Sequence, residues 1–279
     1  MTSTDAKVLA DARTFLFVPG NRPERFPKAI GSVADAVIFD LEDAVPSDDH
    51  GAALDHVVSA LSGDELRALV RVHPTSDRLH SIELDALLGP ALPGLRGLVV
   101  AKAADATALG ETAERLGPDR ALIPLIESAA GIFHAAGIAG VRGTTRLAFG
   151  ALDYSLDIGA RPDAAALDFA RSTIVVASRV ALIAAPIDSP PLSITDLATV
   201  REGARHARGL GFGGGLAIHP AQLAALRAGF ASTADEVAWA RAVLAAEGDA
   251  GASQTNGQLV DRPVFERARA ILRNRDEEE

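Results

Sequence analysis

Cysteine is absent from the 279 residues. That excludes disulfides, a thiol nucleophile and thiolate metal sites, and it fits a cytoplasmic protein. Aromatic residues are scarce at 4%, so helices must pack mainly on Ala, Leu, Val and Ile. There is no basic excess. With 27 Lys+Arg against 37 Asp+Glu the formal net charge is −10, and no basic run offers the positive face that a nucleic acid needs. Long apolar runs are missing too. The best candidate, Ile174 to Ile187, is interrupted by Arg179, short of the ~18 uncharged residues of a membrane span. The N-terminus, Met1 to Ala12, lacks a basic start and an apolar core and does not read as a signal peptide. No Gly-x-Gly-x-x-Gly turn follows the first strand, nothing matches Gly-x-Ser-x-Gly, and neither three-His nor His-x-x-x-His zinc spacing occurs.

What is present is a repeating alternation. Unbroken apolar runs at Thr14–Val18, Ala36–Asp40, Leu69–Val72, Leu98–Lys102, Leu122–Ile126, Arg146–Phe149, Pro186–Asp188 and Leu216–Ile218 read as strands buried on both faces, as in a parallel sheet. Amphipathic stretches lie between them. Asp105–Leu116 stops at Gly117-Pro118, and Asp163–Ala184 is long with sparse charge. Asp196–Leu210 has Asp196 as a cap and Gly209 and Gly211 at its end. Eight strand–helix units predict a TIM (β/α)8 barrel over residues 1–230; an open doubly wound sheet is the alternative. Residues 231–279 exceed what a barrel needs. They read as a C-terminal helical arm that packs on a neighbouring subunit: a helix at Ala234–Glu247, a loop at Gly248–Gly257, a last helix through Ile271 and a frayed tail from Arg273.

A barrel places its active site at the C-terminal ends of the strands. Those ends carry Asn21-Arg22, Asp40-Leu41-Glu42-Asp43, Arg71 and His73, Lys102, Glu127, Asp153, Asp188 and His219. Glu127 and Asp153 follow apolar strands directly or nearly so. Each alone reads as a cap on the following helix. The two together, on neighbouring parallel strands, read as ligands of a hard divalent cation such as Mg2+. Arg71 lies inside Val70-Arg71-Val72, so its guanidinium needs an anion. Glu42 or Asp43 could serve, and so could a substrate carboxylate. His219 reads as structural, and His73 is open.

Seven segments, in order, carry a resemblance. They are Phe15–Arg25 (FLFVPGNRPER), Val37–Pro46 (VIFDLEDAVP), Val70–Val72, Glu127, Phe149–Asp153 (FGxxD), Gly211-Phe212 with Ala217–Pro220 (AIHP), and Gly257–Pro263 (GxxxDxP). From about Arg13 to Ala270 the chain resembles the citrate lyase β-subunit-like CoA ester lyases of the HpcH/HpaI aldolase superfamily. The resemblance implies a Mg2+-dependent barrel, homotrimeric or larger, that cleaves or forms a carbon–carbon bond between an acyl-CoA and a 2-oxo acid. Malyl-, citramalyl- and citryl-CoA are the substrate types. By position, Glu127 and Asp153 would hold Mg2+ and Glu127 would also face substrate. Arg71 would bind the oxo-acid carboxylate. Phe17, Arg22 or Lys28, and Ile187-Asp188 would hold CoA, and Asp261 would be the acid/base acting in a neighbouring subunit's site. Departures fall at His50, Leu54 and Gly215, where such sequences carry basic residues, at His73 in place of Asn and at Leu259 in place of Met. They leave two further readings open: a CoA-independent aldolase on a free hydroxy acid, and a non-catalytic partner subunit of a lyase complex.

Overall fold

Eight apolar runs become eight parallel strands that close into one barrel in chain order. The computed structural model describes residues 4–161, 165–245, 253–255 and 258–276. The strands are β1 (Thr14–Pro19), β2 (Ala36–Asp40), β3 (Ala68–Val72), β4 (Leu95–Val100), β5 (Ala121–Ile126), β6 (Ala148–Phe149), β7 (Ile187–Asp188) and β8 (Gly214–Ala217). Closure comes where β8 pairs with β1, Phe15 opposite Leu216. Phe15, Ile38, Leu69, Val99, Ile123, Leu125, Ala148, Ile187 and Leu216 fill the inside as a single buried cluster. Every residue of β2, β3 and β5 is buried, which explains why these strands read as continuous rather than alternating runs.

Most strand ends differ from the sequence expectation by one or two residues, and the two largest differences, at β4 and β8, have a backbone setting. β4 stops at Val100 because Lys102 adopts a left-handed conformation, φ 46°. β8 begins earlier, within the glycine run. A Cβ on Gly214 would stand 2.8 Å from the Arg13 carbonyl oxygen, so glycine is what lets β8 approach β1.

A short helix, Thr4–Asp11, was not legible in the sequence. Its Leu9 joins the interior cluster at the N-terminal ends of the strands. Arg146, fully buried just before β6, donates to the carbonyls of Leu9 (3.2 Å), Ala12 (2.5 Å) and Ala185 (2.6 Å). Burial pushes its guanidinium down to about 9. Helix and arginine together occupy that end of the barrel, while the opposite, C-terminal ends lead into the loops that carry the polar residues.

The outer helices follow the expected stop and start signals. Asp105 caps Ala106–Leu116 by accepting from the Thr107 amide at 2.8 Å. Asp196 caps Leu197–Leu210, which ends at left-handed Gly211. The long helix is described from Ala165 to Val180; Asp163 lies outside the described residues.

The chain divides into two compact units, 1–229 and 230–279. In the second, helices Ala234–Ala245 and Arg262–Asp276 pack through Val237, Ala240, Val243, Ala268 and Ile271. Part of the expected loop is instead an antiparallel ribbon, Ser253–Thr255 with Gln258–Val260. The last helix continues past Ile271 to Asp276. Residues 246–252, 256–257 and 277–279, which held parts of the expected helix, loop, motif and tail, lie outside the described residues. No helix among the described residues is long and apolar enough to cross a membrane.

Candidate active site

Strand register builds the core of the site. Asp40, the last residue of β2, stands opposite Arg71 of β3. Their side chains therefore meet as a two-pronged pair, Nε to Oδ1 and Nη2 to Oδ2, both at 2.6 Å. Such a fork is the strongest arrangement available to a carboxylate and a guanidinium. Nη1 turns to Glu42 at 2.9 Å and to Asp43 at 3.3 Å. The Phe17 ring of β1 lies beneath the guanidinium, 4.8 Å from centroid to Cζ. Of the partners considered from sequence, Glu42 and Asp43 are both present, but Asp40 makes the closest contact. Burial works against the Arg71 charge, yet Asp40, Glu42 and Glu127 hold it firmly protonated.

Lys102 is the second cation. Its Nζ contacts Glu42 and lies 3.3 Å from Asp43. Burial disfavours its charge, but Glu42, Glu127 and Asp43 together keep its ammonium above the ordinary lysine range. Its left-handed backbone aims the amide at Glu127, donating to Oε1 at 2.7 Å. A non-glycine residue in this conformation is strained, and such strain clusters at functional sites. The sequence marks Lys102 as a strand-end residue; the use of its amide had no sequence signal.

Glu127 follows β5 and is 3% exposed. Burial, with Glu42 and Asp153 nearby, pushes its carboxyl up to about 8, against the pull of the Lys102 amide and Arg71. It does not cap the helix that follows; Ser128 does, accepting from the Gly131 amide at 3.0 Å. The capping reading of Glu127 is thereby replaced. A Cβ on Gly150, after β6, would come within 2.7 Å of the Glu127 Cβ, so this glycine leaves room for the carboxylate. Asp153 is half-buried in the first turn of helix Ala151–Asp157, where the helix end favours an acid.

The chemistry of this donor set fits a hard cation. Two carboxylates from neighbouring units offer oxygen donors, and Glu127 carries a proton that a divalent ion would displace. Arg71 and Lys102 are already committed to Asp40, Glu42 and Asp43, so they do not neutralise the Glu127–Asp153 pair by direct contact.

The remaining expected residues are dispersed. Arg22 and Lys28 are exposed on the segment after β1. Ile187 is fully buried in the barrel interior. Asp188 is buried too, and Arg171 donates to it at 3.0 Å. Asp261, in the second unit, is exposed and caps the last helix, accepting weakly from the Val264 amide at 3.4 Å. His219 is structural: its Nδ1 accepts from the Ala221 amide at 3.1 Å.

Comparison with known proteins shows the family and the fold. The family model for HpcH/HpaI aldolase/citrate lyase matches residues 13–220. A citrate lyase subunit beta-like protein of Deinococcus radiodurans is 35% identical, over 93% of this chain and 96% of that one. A (3S)-malyl-CoA thioesterase of Cereibacter sphaeroides is 29% identical, over 93% of each. The crystal structure of CitE from Mycobacterium tuberculosis, in complex with magnesium, acetoacetate and coenzyme A, superposes with a TM-score of 0.85. It is 34% identical, over 95% of this chain and 98% of that one. A closed eight-stranded barrel with this cluster at its strand ends, matched along nearly its whole length, belongs to the HpcH/HpaI aldolase/citrate lyase family.

Proposed function

We propose that the protein is a Mg2+-dependent carbon–carbon lyase that cleaves, or forms, a 3-hydroxyacyl-CoA of the malyl-, citramalyl- or citryl-CoA type. The products are an acyl-CoA and a 2-oxo acid. The observation that carries this reading is Glu127: buried, protonated to about 8 and aimed by the Lys102 amide, at the strand ends of a chain in this family. The magnesium, acetoacetate and coenzyme A bound by CitE support it.

Glu127 and Asp153 would hold the ion. When bound, Mg2+ would act as a Lewis acid on the substrate oxygens that carry the developing negative charge. The chain's own residues account for the rest. Arg71, fixed by the Asp40 fork and the Phe17 ring, would orient the substrate carboxylate through the edge that carries Nη1, which would turn from Glu42 and Asp43 to do so. Asp40 keeps the opposite edge from swinging. Lys102 holds Glu42 and Asp43 and, through its amide, sets the direction of the Glu127 carboxylate. The CoA portion would pass Phe17, with its phosphates toward exposed Arg22 and Lys28; buried Ile187 and Asp188 would support it from behind rather than touch it. Asp261 would pass a proton to or from the acyl carbon, supplied by the second unit, 230–279, to a neighbouring subunit. Exposed Leu156, Phe169, Val176, Val180, Leu182 and Leu192 support a homo-oligomer, because large apolar side chains left in water gain from burial between chains.

The experiment is turnover of purified protein on a panel of these thioesters with Mg2+. The 2-oxo acid and free CoA are followed separately, so that bond cleavage is distinguished from thioester hydrolysis. Release of 2-oxo acid with intact acyl-CoA supports the lyase. Turnover of a free hydroxy acid without CoA would favour the aldolase reading, and no turnover by metal-loaded protein would favour a partner subunit.

A further inference from the structure

Three residues far apart in the chain converge outside the site described above. His50 opens the helix His50–Leu61, His73 directly follows β3, and Glu83 lies in the helix Arg78–Leu88. The Glu83 side chain is fully buried. One oxygen, Oε2, accepts from the His73 backbone amide at 2.8 Å. The other, Oε1, faces both imidazoles: His73 Nδ1 at 2.6 Å and His50 Nε2 at 2.8 Å. The rings stand edge to face, 5.2 Å between centroids. The nitrogen of each ring and the carboxylate oxygen lie within 4.8 Å of one another. We propose that His50, His73 and Glu83 form a second metal site, selective for a zinc-type divalent ion.

The charge balance supports an ion there. Among the described residues no Lys or Arg contacts Glu83; its ion-pair partners are the two imidazoles. Its carboxylate is held by the two rings and the His73 amide, and a divalent ion would take the place of the protons the rings share with Oε1. His80 completes the setting without being a ligand. Its Nδ1 faces the His73 carbonyl at 2.7 Å and its Nε2 the Thr112 hydroxyl at 2.9 Å, so both nitrogens are engaged. Its role is to brace the His73 backbone, as outer partners brace metal ligands.

Donor chemistry sets the selectivity. Zn2+ takes imidazole nitrogen and carboxylate oxygen at about 2.0–2.2 Å in a tetrahedron, three protein ligands leaving one position for water. Ligand atoms then sit about 3.3 Å apart, so Oε1 would draw back from the two rings, now at 2.6 and 2.8 Å, and the ring nitrogens, now within 4.8 Å of one another, would settle at the same spacing. Two nitrogens and one oxygen suit Zn2+ or Co2+ and not Mg2+, whereas Glu127 and Asp153 offer oxygen alone. The nitrogen donors favour Zn2+ here, and excess Mg2+ competes for the oxygen-only pair.

The test uses the full chain, stripped with a chelator and kept in excess Mg2+. Zn2+ is added and bound metal measured after equilibrium dialysis; Co2+ is added in parallel and its visible ligand-field bands recorded. The expected result is about one equivalent of Zn2+ per chain and the intense bands of four-coordinate Co2+. Both should survive in Glu127→Gln and be lost in His50→Gln and in His73→Asn. Absence of stoichiometric Zn2+ in folded wild-type protein would overturn the proposal and leave a hydrogen-bonded His–Glu–His cluster. So would equal binding by His73→Asn, or loss of binding in Glu127→Gln. Should a histidine variant fail to fold, judged by its melting curve, the wild-type Co2+ spectrum decides: six-coordinate, pale bands contradict the site.

Discussion

Arg71→Met removes the one guanidinium on which Asp40, Glu42 and Asp43 converge. Asp40 is 1% exposed and Glu42 5%. After the change Glu42 keeps Lys102, but Asp40 keeps only the Glu42 amide at 3.0 Å. Breaking a buried pair by removing one partner leaves an uncompensated charge and costs ~3–5 kcal/mol. With urea m-values in the range found for proteins of this class, that moves the unfolding midpoint down by ~1–2 M. The second substitution, Asp40→Asn, removes the orphaned charge. The double variant should therefore be less destabilised than the sum of the single ones by ~0.5–3 kcal/mol. Urea titration followed by far-ultraviolet circular dichroism measures all four proteins. An Arg71→Met midpoint within error of wild type, or strict additivity in the double variant, would refute the reasoning that the fork is a buried, mutually dependent pair.

Three further outcomes are expected. Glu127, protonated up to about 8, must lose its proton to bind a cation. Mg2+ affinity by calorimetry should fall about tenfold per pH unit below 8 and level off above it; a flat profile between pH 6 and 8 contradicts this. The sign follows for stability without metal as well: a carboxyl whose pKa is raised on folding stabilises the fold below its unfolded value and loses that contribution as pH rises through about 8. Gly150→Ala would press a methyl against the Glu127 side chain; thermal melting should show a loss of ~1–3 kcal/mol, accompanied by weaker Mg2+ binding. Asp261→Asn should lower turnover about 100-fold or more with unchanged sedimentation and circular dichroism; retained activity would remove its acid/base role.

The sequence made the barrel legible because buried parallel strands write themselves as unbroken Val, Ile, Leu and Phe runs, and Gly117 and Gly211 mark helix ends by their conformational freedom. It did not disclose the helix Thr4–Asp11, whose place is decided by Leu9 and Arg146 meeting at the barrel end. Nor did it disclose the short ribbon of Ser253–Thr255 with Gln258–Val260, strands of three residues each, too short to show an apolar pattern. Arg71 announced that it needed an anion, but only strand register identifies Asp40 as the foremost partner. The Lys102 amide reached Glu127 through a left-handed backbone that no side-chain pattern encodes. His50 and His73 stood out singly in the sequence; their meeting at Glu83 is a property of three elements packed together. The roles of Asp153 and Asp261 rest on position within the family, one being half-buried in a helix turn and the other exposed as a helix cap.

The central claim is that Glu127 holds the ion on which carbon–carbon cleavage depends. The most direct measurement compares wild type with Glu127→Gln in Mg2+ binding by calorimetry and in release of 2-oxo acid from a malyl-, citramalyl- or citryl-CoA substrate. The account predicts that the variant keeps the wild-type fold by circular dichroism and loses both Mg2+ binding and turnover. A folded variant that still binds Mg2+ and releases the 2-oxo acid at the wild-type rate would contradict it.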